Sequence, residues 1–152
     1  MKYRGTLLAV KDLKRSVDFY CNVLGLHVVL DYDTNKTLSG GVVLQSADTW
    51  NDFVEENPIV YGSGVYILYF EEENFDAFAE KLRKLNIIFV NYIKEDQWGQ
   101  RVLRFYDPDH HIIEVAENIK SVCYRFLDNG MSKEAVSKRM GLPLKYVKSC
   151  LT

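Results

Sequence analysis

Hydrophobic and polar positions along this chain fall into two successive runs of the same order. Thr6-Leu7-Leu8-Ala9-Val10 is an apolar run of strand length, and Asp12 after it is a helix N-cap residue. From Leu13 to Leu24 apolar residues recur at Leu13, Val17, Phe19, Tyr20, Val23 and Leu24. Those spacings of three and four predict an amphipathic helix, which Gly25 ends. Phe19, Tyr20 and Leu24 form its buried stripe, with Ser16 on its exposed side. Leu26 to Tyr32 predicts a strand, Asp33 to Lys36 a turn, and Thr37-Leu38 the opening of a short strand. Gly40-Gly41 gives a bend, Val42 to Gln45 a further strand, and Ala47 to Asn57 a short helix before the loop at Pro58.

The order then recurs. Val65 to Phe70 predicts a strand, and Asn74 to Leu85 a helix with Phe75, Phe78, Leu82 and Leu85 on one face. The acidic run Glu71-Glu72-Glu73 complements that helix's N-terminus. Strands follow at Ile87–Ile93, Gln100–Tyr106 and His111–Val115, the last two joined by the turn Asp107-Pro108-Asp109-His110. The fold class expected is therefore α+β: two βαβββ repeats, about 1–60 and 61–116, forming a curved mixed sheet around a cleft. Beyond Glu117 the pattern becomes helical. One helix ends near Asn129-Gly130, Ser132 caps a second that Gly141 ends, and Pro143 opens a third carrying Leu144, Val147 and Leu151. The organisation expected is a domain over 1–116 and a helical tail over 117–152. The tail's second and third helices have the outline of a helix-turn-helix.

Charge sharpens that boundary. The whole chain carries a net charge of −2, which disfavours a general nucleic-acid binder. Residues 1–116 hold 12 basic and 18 acidic side chains, whereas 117–152 hold 7 and 3. Lys145 and Lys148 are the only charges on the short third helix, so nucleic acid is an unlikely partner. Cys21, Cys123 and Cys150 are odd in number and widely spaced, which fits neither a disulfide framework nor a zinc site and favours a reducing cytoplasm. No apolar run approaches the roughly 18–20 residues of a membrane span, and no signal peptide is read at the N-terminus.

Three stretches carry a family resemblance. Val10-Lys11-Asp12-Leu13-Lys14-Arg15-Ser16-Val17-Asp18-Phe19-Tyr20-Cys21-Asn22-Val23-Leu24-Gly25-Leu26 is similar to the opening V-x-D-L-x-x-S-x-x-F-Y-x-x-V-L-G-L of the vicinal-oxygen-chelate family. That family includes glyoxalase I, bleomycin-resistance proteins and extradiol dioxygenases. Trp98 to Phe105 is the second stretch. Asp107-Pro108-Asp109-His110-His111-Ile112-Ile113-Glu114 resembles the closing D-P-D-G-x-x-I-E, with His110 in place of the glycine. The resemblance implies a small-molecule partner and a homodimer.

Metal-dependent members hold a divalent ion through four side chains, typically His or Glu. The resemblance places the last at Glu114, the first at Gly5, the second-repeat counterpart on or beside Val65, and the remaining one at Leu44 or Gln45. Glycine and valine cannot ligate, and Gln45 is at best a weak neutral donor. By strand parity His111 points away from the face of Glu114, and His110 sits in the turn, so neither compensates. No metal is therefore expected, although a divalent ion remains possible. Glu114 is the catalytic candidate, as a general base or hydrogen-bond anchor, against the plainer reading of an ion pair with an arginine.

The same parity puts Leu7, Ala9, Ile67, Tyr69 and Ile112 on the cleft face, with Trp50, Tyr61 and Trp98 at its margins. Arg101 and Arg104 face opposite sides, and one of them meets Glu114 or an anionic ligand. The ligand-binding set expected is Gln45, Trp50, Tyr61, Ile67, Tyr69, Trp98, Arg101, Ile112 and Glu114. The function expected is metal-free small-molecule binding. The alternatives are a metal-dependent lyase or dioxygenase like glyoxalase I, and a ligand-responsive DNA-binding regulator.

Overall fold

The computed structural model describes residues 1–55 and 57–150. The chain divides into two compact units, one of residues 1–66 with 107–111 and the other of 67–106 with 112 onward.

In the first unit, β1 (Thr6–Val10), α1 (Leu13–Leu24), β2 (Val28–Tyr32), β3 (Asn35–Leu38) and β4 (Val42–Ser46) build one βαβββ module. The sheet order is β1-β4-β3-β2, with β1 parallel to β4 and the other pairs antiparallel. Asp12 starts α1 by accepting the Arg15 backbone N–H at 2.9 Å, and Gly25 closes it in the left-handed region. Period-two alternation buries Leu8, Val10, Val42 and Leu44 in the core. The expected turn at Asp33–Lys36 is tighter, because Tyr32 pairs directly with Asn35 around Asp33-Thr34. The helix expected over Ala47–Asn57 is a short 3₁₀ turn, Ala47–Thr49, followed by α2 (Asn51–Val54); Glu55 breaks it at a φ of 48°.

Ser16 is fully buried, not exposed as the helical pattern suggests. The reason is the 107–111 turn. Asp109 accepts the Lys11 backbone N–H at 3.2 Å, Arg15 Nη2 at 2.8 Å and Ser16 Oγ at 3.4 Å. A small hydroxyl at position 16 lets that buried carboxylate reach the helix.

The second unit repeats the order with β5 (Ile67–Glu72), α3 (Phe75–Lys84), β6 (Phe89–Glu95), β7 (Arg101–Tyr106) and β8 (Ile112–Glu117), in sheet order β5-β8-β7-β6. β5 begins two residues later than its apolar run and takes in Glu71 and Glu72; Glu72 accepts the Asn74 backbone N–H at 2.7 Å. Phe75, Ala79 and Leu82 are the buried stripe of α3, whereas Leu85 lies past the helix end and is exposed.

The tail forms α4 (Ile119–Asp128), α5 (Lys133–Met140) and α6 (Leu144–Ser149) around Val122, Cys123, Phe126, Val136, Met140, Val147 and Cys150. It is continuous with the second module. Arg125 donates to the Gly99 carbonyl at 2.6 Å and to Glu117 at 2.8 Å, and Arg139 meets Glu95 at 3.0 Å. Gly99, at a φ of 92°, lies so close to the Phe126 ring that a Cβ there would collide with it.

Candidate functional site

The first unit's sheet has one face turned to the core and one open. The register Leu8↔Leu44 and Ala9↔Gln45 puts Leu44 in the core and Gln45 beside Ala9 on the other face. The Gln45 amide is engaged at both ends. Its Oε1 accepts Asn35 Nδ2 at 2.8 Å, and its Nε2 donates to Thr49 Oγ1 at 2.6 Å. Over Leu7 and Ala9 lies a cavity of about 480 Å³, walled by Trp50, Val54, Pro58, Ile59, Val60 and Tyr66, with Thr6, Asn57 and His111 as its polar members. A mostly apolar concavity of this size with few polar groups is the usual form of a small-molecule site.

His111 stands on this wall one residue before β8, where that strand's burial alternation continues: His111, Ile113 and Val115 are buried, Ile112 and Glu114 half-buried. Its Nδ1 lies 2.7 Å from Asp107 Oδ2, and its backbone N–H donates to Asp107 Oδ1 at 2.8 Å. The His111 ring stands 6.0 Å from that of Tyr66 and 6.4 Å from that of Tyr61. Burial, reinforced by the Asp107 charge, pushes the Tyr66 hydroxyl above its ordinary 10.0, so it stays protonated. Tyr61 carries Lys11 Nζ 4.4 Å over its ring, and its buried hydroxyl finds no hydrogen-bond partner among the described residues. His110, where the resembled motif has glycine, adopts a left-handed φ of 66°.

On the second unit's sheet, Ile67 pairs with Ile112 and Tyr69 with Glu114, so these four share one face. Glu114 is held by Arg104, Nη2 to Oε2 at 2.5 Å, and Arg104 Nη1 donates to Asn91 at 3.2 Å. A polar chain runs along the rim. Trp98 Nε1 donates to Gln100 Oε1 at 3.0 Å, Gln100 Nε2 to the Tyr69 hydroxyl at 3.4 Å, and that hydroxyl to Glu71 at 3.0 Å. Arg101 is not with them: it binds Glu117 at 3.0 Å and Asp76 at 2.7 Å on the side of α3.

The predicted residues thus separate. Trp50 lines the first unit's cavity, with Gln45 and Tyr61 elsewhere in that unit. Ile67, Tyr69, Ile112, Glu114 and Trp98 lie along the second unit's exposed face and rim, and Arg101 lies apart. Sequence reasoning missed Tyr66, Asp107, His111 and the 54–60 wall. The one signal for His111 was the turn dipeptide His110-His111 itself.

The residues at the resembled family's metal positions do not fit an ion. A Cβ at Gly5 would run into the backbone carbonyl of Gly41, so the backbone there admits no side chain at all. The Gln45 amide is occupied by Asn35 and Thr49, Val65 is aliphatic, and Glu114 is neutralised by Arg104. Among the described residues no group of three or more His, Cys, Asp or Glu side chains is placed to hold an ion.

Comparison with known proteins agrees with this architecture. A family model described as a glyoxalase-like domain matches residues 3–120. The bleomycin resistance protein of Geobacillus stearothermophilus is 29% identical over 125 residues, covering 75% of this chain and 95% of that protein. The metallothiol transferase FosB of Lysinibacillus sphaericus is 25% identical over 108 residues, covering 71% of this chain and 76% of that protein. A crystal structure of a protein of unknown function from Agrobacterium tumefaciens superposes with a TM-score of 0.71 at 29% identity, over 78% of this chain and 95% of that one.

Proposed function

This chain belongs to the glyoxalase-like domain family of the vicinal-oxygen-chelate superfamily, and we propose that it is a small-molecule binding protein that uses no metal at the family's ligand positions. The observation that carries this reading is the Gly5–Gly41 backbone approach, which leaves no room for a first metal ligand. The likeness to a bleomycin resistance protein supports binding rather than turnover. The seat proposed for the ligand is the cavity over Leu7 and Ala9, whose wall is aliphatic and aromatic. The assembly proposed is a homodimer, supported by apolar side chains left exposed on strands, among them Val29, Leu30 and Tyr32 of β2 and Ile67 and Tyr69 of β5.

A second reading, metal-dependent lyase or dioxygenase chemistry through Glu114, is favoured by that retained carboxylate and by the likeness to FosB. DNA-binding regulation is not part of the proposal, since Arg125 and Arg139 are paired with Glu117 and Glu95 and α6 has 6 residues.

Elemental analysis of protein purified from metal-supplemented medium separates the first two readings. Substoichiometric metal, unchanged in Glu114→Ala, is the outcome expected. Near-stoichiometric metal lost in that variant overturns the proposal.

A further inference from the structure

Asp107 and His111 form a dyad on the cavity wall, outside the four positions considered for a metal. The Asp107 side chain is fully buried. Its Oδ1 accepts the backbone N–H groups of Asp109 and His111, at 2.9 and 2.8 Å. Its Oδ2 accepts the Tyr20 hydroxyl at 2.9 Å and faces His111 Nδ1 at 2.7 Å. Four groups converge on one carboxyl, and three of them are donors whatever the tautomer. With three donors already on its two oxygens, Asp107 meets Nδ1 as an acceptor, so Nδ1 is the donor of that pair. In the neutral imidazole the remaining nitrogen, Nε2, presents a lone pair.

Nε2 makes no hydrogen bond to any described residue, while the ring, 6% exposed, lines the cavity. The nitrogen is open to the cavity rather than sealed inside the protein, so a ligand or water entering there can meet it. The imidazole is also fixed in orientation, since Asp107 grips both its Nδ1 and its backbone. Around it the wall is aromatic at Trp50 and Tyr66 and aliphatic at Leu7, Ala9 and Val60. A flat apolar body with one hydroxyl hydrogen directed at Nε2 complements these features.

We propose that the Asp107–His111 dyad is the polar recognition element of the cavity, with His111 Nε2 accepting the hydroxyl hydrogen of a planar aromatic ligand of the phenol or enol class. Trp50 and Tyr66 pack on the ligand's faces. Asp107 acts through His111 as a positioning residue. The inference rests on the cavity being the ligand seat.

Titration calorimetry at neutral pH with β-naphthol, its methyl ether and β-naphthoate tests it. The wild-type protein binds β-naphthol roughly tenfold tighter than the ether, the worth of one well-made hydrogen bond. In His111→Phe that ratio falls to about one while the ether still binds. His111→Asn, whose amide can donate to Asp107 but does not extend to the position of Nε2, gives the same loss of ratio should the phenylalanine variant fail to fold. Equal affinities in the wild type, a ratio unchanged by both substitutions, or tightest binding of β-naphthoate overturns the dyad's role and leaves the cavity reading standing. Binding of none of the three compounds overturns both.

Discussion

Arg104 and Glu114 stand opposite each other on β7 and β8, and their side chains close an ion pair of 2.5 Å on the sheet's open face. A directly opposed cross-strand pair of opposite charge stabilises a sheet by a few tenths to about 1 kcal/mol. Glu114→Ala removes the pair and leaves Arg104 with Asn91 alone. A loss of about 1 kcal/mol is expected in chemical denaturation. A double-mutant cycle with Arg104→Ala should return a coupling energy of similar size. A coupling near zero would show that the pair does not hold the carboxylate and would return Glu114 to the list of groups available for chemistry.

At Gly5 the question is whether the first metal position can be restored. A side chain there must displace the Gly41 carbonyl at the start of the β1–β4 pairing. Gly5→His and Gly5→Ala should therefore destabilise alike, by about 1–3 kcal/mol, the usual cost of overpacking. Added nickel or zinc should raise the melting temperature of Gly5→His no more than that of Gly5→Ala. Selective stabilisation of the histidine variant by metal would mean that the position remains open to a ligand.

The tail depends on another close approach. Gly99 has a left-handed φ of 92°, its Cβ position lies against the Phe126 ring, and its carbonyl receives Arg125 Nη2 at 2.6 Å. Gly99→Ala combines backbone strain with a steric clash, so about 2 kcal/mol or more should be lost. Limited proteolysis should then cut first between α4 and α6. Adding Phe126→Ala should relieve the clash but not the strain.

How far the site was legible follows from these particulars. Strand parity separates Leu7 and Ala9 from Leu8 and Val10, and it separates Arg101 from Arg104, because alternation holds wherever the ladder is regular. It does not identify the partner of His111: the residue stands one position before β8, and the meeting of its ring with Asp107 depends on the turn rather than on alternation. Ser16 was misplaced because nothing local in α1 signals that Asp109, 93 positions away, will bury it. The capping of α1 by Asp12 and Gly25 was readable because both devices act within a few residues. Whether Leu44 or Gln45 faced outward depended on the β1–β4 register, a long-range pairing with no local marker.

Glu117 gives the pH dependence. Burial alone would raise its carboxyl, but hydrogen bonds from Arg125 and Arg101 and their charges outweigh that and hold it below the ordinary 4.5. A carboxylate depressed in the folded state adds stability that is present above the unfolded value and is lost as pH falls through the folded one. Stability should therefore decline below about pH 4.5, and the slope there should be shallower in Glu117→Gln. At neutral pH the same substitution should cost about 3 kcal/mol, because it strips both Arg101 and Arg125 of their shared buried counter-charge. Denaturation midpoints of the two proteins across the acid range check both statements. Parallel curves would show that Glu117 titrates alike in the folded and unfolded chains, and that its two arginines fix the tail by geometry rather than by charge.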